Sequence, residues 1–249
     1  YTPSNVTGFI VNGTLHNYIC DHANIILKQK NIHPIKRIES LFINNHLSKK
    51  ELNNLYEFVK NVRVLDPGCG SGAFFMPVIG YLTKIHKLFL TELGQEFNIY
   101  KVKKWIIENN LYGVELNPEA VEISKLRLWL ELVSSVLNMN EVDLLPNIEY
   151  NIMCGNTLIG FQKKMTVNGL SDFISLEIGD WVDIIGVNHH DAAERIKELA
   201  DEPSIPNLIS IKDVLVQLYK NEHEPKQQAV LKKILEKIHA QLQSKMNRH

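Results

Sequence analysis

The spacing of apolar residues changes several times along the 249-residue chain. From Ser4 to Lys30 the apolar positions recur at helical intervals, with Pro3 breaking the chain before them and Ser4 placed as a cap. Two further helices are expected at Pro34 to Asn45 and Ser48 to Lys60, the second opened by Ser48-Lys-Lys-Glu51, a capping-box spacing. At Val62 the pattern becomes a short apolar run, the mark of a buried strand. Helical periodicity returns from Ala73 to Glu108, with a break near Gly94, and a second short strand begins at Leu111. Asn117 suits an N-cap and Pro118 the first helical turn, where its missing N–H costs nothing. The helix that follows, Ala120 to Leu137, carries Val121, Ile123, Leu126, Leu128, Leu130, Leu132, Val133 and Val136 as its apolar positions, and Trp129 reads as a packing residue. A third strand is expected near Ile148 to Ile152. Beyond Asp191 the chain is helical: Ala192 to Leu199, Ile211 to Lys220, and Pro225 to Lys245 with a stripe of Val230, Leu231, Ile234, Leu235, Ile238 and Leu242.

Strands alternating with helices predict an α/β fold. The turn after the first strand carries the chemistry. Asp66-Pro-Gly-Cys-Gly-Ser-Gly72 places glycines at every second position, at the C-terminal end of a strand, where open α/β sheets bind ligands. A phosphate-cradling loop would end in Gly-Lys-Ser/Thr, and this one ends Gly72-Ala73-Phe74. A dinucleotide fingerprint spaces its glycines G-x-G-x-x-G, which this loop does not. S-adenosylmethionine fits better: its ammonium group pairs with a strand-end carboxylate, where a pyrophosphate would be repelled. The plainer alternative is a glycine-rich turn that only joins strand to helix; the later features weigh against it.

Glu115 ends the second strand. Alone it reads as a surface glutamate; beside the Asp66 loop it reads as an acceptor for both hydroxyls of a ribose. Asn156, in Cys154-Gly-Asn-Thr-Leu-Ile-Gly160, suits an adenine edge equally with an Asx turn.

In order, Tyr1-Thr2-Pro3, Asp66-Pro-Gly-Cys-Gly-Ser-Gly-Ala-Phe74, Gly113-Val-Glu-Leu-Asn-Pro-Glu-Ala-Val121 and Cys154-Gly-Asn-Thr-Leu-Ile-Gly160 resemble the N6-adenine DNA methyltransferases of restriction–modification systems. Within them the pattern is similar to the Eco57I-like branch, in which methylase and endonuclease are often fused and in which a segment like Lys125-Leu-Arg-Leu-Trp-Leu130 is typical. The resemblance covers residues 1–160. It implies a partial Rossmann-like sheet of the S-adenosylmethionine-dependent methyltransferases, with N-terminal helices and a helical C-terminal segment. It divides the chain into an N-terminal helical part (1–60), a cofactor-binding α/β core (61–160) and a linker with a helical insertion (161–249). It also implies site residues. Tyr1, Thr2 and Pro3 would meet the carboxylate end of the cofactor, with Thr2 the binding residue. Asp66, Gly68 and Gly70 would hold its amino acid part, Glu115 its ribose, Leu116 the face of its adenine and Asn156 the adenine edge.

The resemblance also implies a catalytic Asn/Asp-Pro-Pro-aromatic tetrapeptide, which would hold a flipped adenine. The sequence does not contain it. Val182-Asp-Ile-Ile-Gly-Val-Asn188-His-His190 resembles only its strand and Gly-Asn portion. The expectation is a chain cut at both ends from a larger enzyme, with no catalytic residue here and with the remaining strands beyond His249. A half-sheet leaves an exposed edge. A non-catalytic split subunit or degenerate module that binds a partner, and a methyltransferase acting on RNA or protein, are the other readings.

Composition narrows this little. The net charge of −1 gives no basic footprint, and Lys101, Lys103 and Lys104 make only a small cluster. DNA contact is therefore expected through regions outside this chain, with a fused or separate endonuclease as a further partner. Cys20, Cys69 and Cys154 are odd in number and scattered, as suits a reducing cytoplasm. His189-His190 lacks ligand partners at metal spacing, so no metal is expected. No membrane span or signal peptide is expected.

Overall fold

The computed structural model describes residues 2–43, 47–136, 148–158, 185, 189–201, 204–222 and 224–246. It separates into two compact units, 1–157 and 158–249.

In the first unit, α1 (Ser4–Val11), a π-helical segment (Asn12–His16) and α2 (Asn17–Gln29) form the expected N-terminal helix. Pro3, and not Ser4, is its N-cap: the amides of Val6 and Thr7 donate to the Pro3 carbonyl at 3.1 Å, and Ser4 is already helical. The π turn falls where side chains compete for backbone carbonyls. Thr14 Oγ1 donates to Ile10 O at 2.8 Å and Asn17 Nδ2 to Gly13 O at 2.9 Å, which loosens the regular ladder. The helix expected at Pro34 to Asn45 shrinks to α3 (Ser40–Ile43), with 44–46 outside the described residues. The Asn24 side chain clasps Ile35 by both backbone groups, at 2.7 and 2.9 Å, and fastens that stretch to α2. α4 (Lys49–Lys60) starts with the expected capping box: Ser48 Oγ accepts from Glu51 N–H, and Glu51 Oε2 accepts from Ser48 N–H at 2.8 Å.

Strands β1 (Val64–Asp66), β2 (Leu111–Glu115) and β3 (Ile152–Cys154) form a parallel sheet in the order β1-β2-β3, pairing Asp66 with Gly113 and Glu115 with Cys154. β3 lies later than expected, because Asn151 N–H and Ile152 N–H both turn back to Ile148 O. Between β1 and β2 run α5 (Phe75–Leu93) and α6 (Ile99–Asn109). They are separated where Gly94 takes a left-handed φ of 69° and Asn98 caps the second helix. α7 (Pro118–Val133) joins β2 to β3, capped by Asn117 Oδ1 as expected. Right-handed crossovers in one direction put these helices on one sheet face, where Leu111, Gly113 and Ile152 are buried. Leu65, Tyr112, Val114 and Met153 alternate to the other. Of the expected α7 stripe, Val121, Leu128 and Leu132 are buried, whereas Ile123, Leu126 and Leu130 are about half exposed.

Where the strands begin, two buried asparagines act as rivets. Asn110 Nδ2 donates to Lys60 O (2.9 Å) and Val62 O (2.6 Å). Asn151 Nδ2 donates to the carbonyls of Ile107, Glu108 and Leu111, at 2.9–3.1 Å. These bonds tie the ends of α4 and α6 to the sheet and satisfy carbonyls that a helix terminus leaves open.

The second unit contains α8 (His190–Ala200), α9 (Ile205–Asn221) and α10 (Pro225–Met246), packed in sequence through Ile196, Leu208, Ile211, Leu215, Leu235 and Ile238. The expected α10 stripe holds at Leu231, Ile234, Leu235, Ile238 and Leu242; Val230 falls off it and is exposed. Of the 182–190 look-alike only Ile185, His189 and His190 are described, and Ile185 is helical, its carbonyl accepting from His189 N–H. No described helix is long and apolar enough to cross a membrane.

Candidate functional site

All three strands end on the same side, and their C-terminal loops are bonded to one another. The Cys69 amide donates to Val114 O at 3.0 Å, which folds the glycine loop back over β2. Gly70, with φ of 51°, turns its amide to Glu115 Oε2 at 2.9 Å. The other Glu115 oxygen accepts from Asn117 N–H at 2.9 Å, just before α7. Gly155 N–H donates to Glu115 O at 2.9 Å, bringing in the loop after β3. From that loop Thr157 Oγ1 donates to Pro67 O at 3.0 Å, and Cys154 Sγ donates to Leu116 O at 3.4 Å.

The four glycines here play two roles. A Cβ on Gly72 would stand 2.6 Å from Ser124 Oγ, and one on Gly113 would stand 2.7 Å from the Phe75 ring. Those two are demanded by packing. A Cβ on Gly68 or Gly70 would meet nothing within 4 Å, and Gly68 lacks even a positive φ to explain it. At Gly68 the bare backbone borders open space, as it does where a ligand lies against main chain.

The two carboxylates differ in state. Two amide donors, Asn117 first and then Gly70, hold Glu115 below the usual carboxylate range. Burial pushes Asp66 up, partly offset by the Gly68 N–H and reinforced by the Glu115 charge. Asp66 Oδ1 accepts from Gly68 N–H at 3.2 Å, while Oδ2 is buried with no donor among the described residues. A buried carboxylate oxygen without a donor is costly, and a cationic ligand group would satisfy it.

Of the residues expected from the sequence, Asp66, Gly68, Gly70 and Glu115 come together through these bonds. Leu116 is 69% exposed on the neighbouring loop, and Asn156 lies beside Thr157 on the third. Thr2 and Pro3 stand at the N-terminus of α1, which packs on α5; Tyr1 is outside the described residues. A cavity of about 620 Å³ lies along β1, between it and the first helices, lined by Ile10, Thr14, Tyr18 and Leu65 and reaching Asp66 and Pro67. Neither this cavity nor Thr157 was expected. Their residues are far apart in sequence and follow no spacing rule.

Two family models match the chain: the DNA-methyltransferase domain of MmeI over residues 42–171, and the Eco57I restriction-modification methylase over residues 109–248. Each spans more than half of it. The chain belongs to the restriction–modification methylases. The chain is 33% identical, over 263 aligned positions, to a candidate type II restriction enzyme and methyltransferase of Methanocaldococcus jannaschii; the match takes in 96% of this chain and 22% of that protein. It is also 23% identical over 131 positions to DNA methyltransferase A of Bacillus subtilis, covering 50% of this chain and 15% of that one. The chain thus spans about a fifth of the length of these relatives or less.

Proposed function

We propose that this chain is the S-adenosylmethionine-binding part of a DNA adenine-N6 methyltransferase in a restriction–modification system, and that its three strands are part of a Rossmann-like methyltransferase sheet. Residues 61–160 would form the cofactor core, 1–60 its N-terminal helices and 161–249 the linker and helical insertion. The observation that carries the reading is Asp66 Oδ2, a buried acceptor without a donor among the described residues, next to a glycine whose Cβ space is open. The bound cofactor supplies an electrophilic methyl group on a sulfonium. This chain's part is to hold that group in place. Asp66 pairs with the ammonium, and Gly68 and Gly70 let the backbone approach the amino acid part. Glu115 takes the ribose hydroxyls on lone pairs that its two amide donors leave open, Leu116 covers the adenine face and Asn156 meets the adenine edge. Tyr1, Thr2 and Pro3 meet the carboxylate. Adenine specificity rests on the resemblance of residues 1–160. The acceptors that would hold the target base, the DNA contacts and any endonuclease belong to other regions of the protein.

The lack of an Asn/Asp-Pro-Pro-aromatic tetrapeptide also favours a second reading, a non-catalytic split subunit or degenerate module that binds a partner chain. Titration calorimetry of the folded chain with S-adenosylmethionine tests the first. Saturable binding is expected, weakened about 10- to 100-fold in Asp66→Ala by loss of a charge-assisted bond and weakened also in Glu115→Ala. A folded chain that gives no binding overturns the cofactor assignment.

A further inference from the structure

β1 and β3 are not neighbours, since β2 lies between them. At about 4.8 Å per strand step their ends are roughly 10 Å apart. The Thr157 hydroxyl nonetheless lies 3.0 Å from the Pro67 carbonyl. The loop after β3 therefore turns back across the end of β2, over the backbone of Glu115, whose carbonyl takes the Gly155 amide on the way.

The carbonyl that Thr157 holds belongs to the Pro67–Gly68 peptide. The N–H of that same peptide donates to Asp66 Oδ1 at 3.2 Å. A peptide unit is planar, so its carbonyl and N–H point in opposite directions and turn together. The Thr157 bond thus sets where the Gly68 N–H points. That N–H in turn occupies Oδ1 and leaves Oδ2 as the oxygen without a donor. Glycine after the bond leaves the backbone free to rotate, so the peptide is held by its two hydrogen bonds, the Thr157 bond on its carbonyl and the Asp66 bond on its N–H. A rotated peptide would turn its carbonyl toward the Asp66 carboxylate, removing a donor and adding a repulsive dipole where a cation is to bind.

We propose that Thr157 is a positioning residue for the cofactor site, acting through the Pro67–Gly68 peptide on Asp66. The proposal rests on the reading of this site as an S-adenosylmethionine site and adds to it a residue that does not touch the cofactor's ammonium.

The test compares Thr157→Val, which keeps the shape and loses the hydroxyl, with Thr157→Ser, which keeps the hydroxyl. S-adenosylmethionine affinity should fall about three- to tenfold in the valine variant, the worth of one hydrogen bond, and return to within about twofold in the serine variant. In an Asp66→Asn background the valine change should have no further effect, because the two act in series. Equal affinity in Thr157→Val and the parent chain overturns the proposal, as does an undiminished effect in the Asp66→Asn background. Amide hydrogen exchange at Gly68 gives a second readout that needs no ligand. Exchange should quicken in the valine variant and not in the serine variant, and unchanged exchange overturns the proposal. If the parent chain binds no S-adenosylmethionine while Gly68 responds as expected, the cofactor reading fails and the Thr157 latch on the peptide stands.

Discussion

Where the three strands begin, polar side chains close the sheet: Asn110 and Asn151 are buried, and each spends its amide N–H groups on main-chain carbonyls of the elements around it. Where the strands finish, the polarity is reversed. Backbone amides of Gly68, Gly70 and Asn117 point at carboxylates, the loops are tied by single bonds, and a carboxylate oxygen lacks a donor. Among the described residues, acceptors without donors occur at both ends, since Oδ1 of Asn110 and of Asn151 is also buried and unmatched. The difference is charge. A neutral amide oxygen carries a modest penalty, and a carboxylate a larger one that burial increases. One end is therefore organised for the fold, and the other keeps an unmet electrostatic demand.

The sharpest way to break this contrast is at the closed end. Asn151→Leu removes donors to the Ile107, Glu108 and Leu111 carbonyls and should cost about 2–4 kcal/mol of stability. Urea unfolding measures it, and ligand affinity of the folded fraction should stay as it was. A loss below about 0.5 kcal/mol, the size of an ordinary surface change, would mean that Asn151 is not a rivet.

The glycines divide the same way, with smaller effects. Gly113→Ala drives a methyl into the Phe75 ring and Cys69 Sγ, and should cost about 1–3 kcal/mol. Beyond its chain neighbours, the methyl of Gly68→Ala meets no atom of the described residues within 4 Å, so stability should hardly change. Its methyl would occupy the space assigned to the cofactor, and S-adenosylmethionine affinity should fall on the order of tenfold. The contrast dissolves if Gly68→Ala loses stability and keeps affinity.

Much of the first unit could be read from the chain. The Ser48 capping box, the Asn117-Pro118 helix start, the Gly94 break and the strand ends at Asp66 and Glu115 are set by neighbouring residues, and local patterns report local forces. The misreadings share a different cause. The Pro34 to Asn45 helix is shortened by a clasp from Asn24, β3 is displaced by a turn at Ile148 to Asn151, and Thr157 meets Pro67 across 90 positions. The turn at Ile148 is local but hidden inside an apolar run, while the clasp and the Thr157 bond join separate segments, and no spacing encodes them. The half-exposed Ile123, Leu126 and Leu130 on α7 teach a related lesson: periodicity marks an apolar face without saying what packs on it.

Acidity separates the two carboxylates of the open end by the smallest effect. Glu115, held down by its amide donors, stays ionised as pH falls through the ordinary carboxylate range. Asp66, raised by burial, takes up its proton at a higher pH than an ordinary aspartate does. The protonated form cannot pair with an ammonium, so S-adenosylmethionine affinity should weaken on acidification, by at most about tenfold per pH unit below the raised value. Binding should release a proton in that window, seen as a calorimetric heat that varies with the buffer's ionisation enthalpy. The sign for stability is opposite. A carboxyl raised in the folded state favours folding below its unfolded pKa and loses that contribution as pH rises through its folded value. Asp66→Asn should therefore be no less stable at neutral pH while binding weakly and without the acid-dependent step. Buried His86 sets the background: burial, and then the charge of Lys60, lower it from 6.5 to about 4, so the fold loses stability as pH falls between those values. Affinities have to be compared per folded molecule. If the acid-dependent weakening persists in Asp66→Asn, the ammonium partner is a different group and the open end has been misassigned.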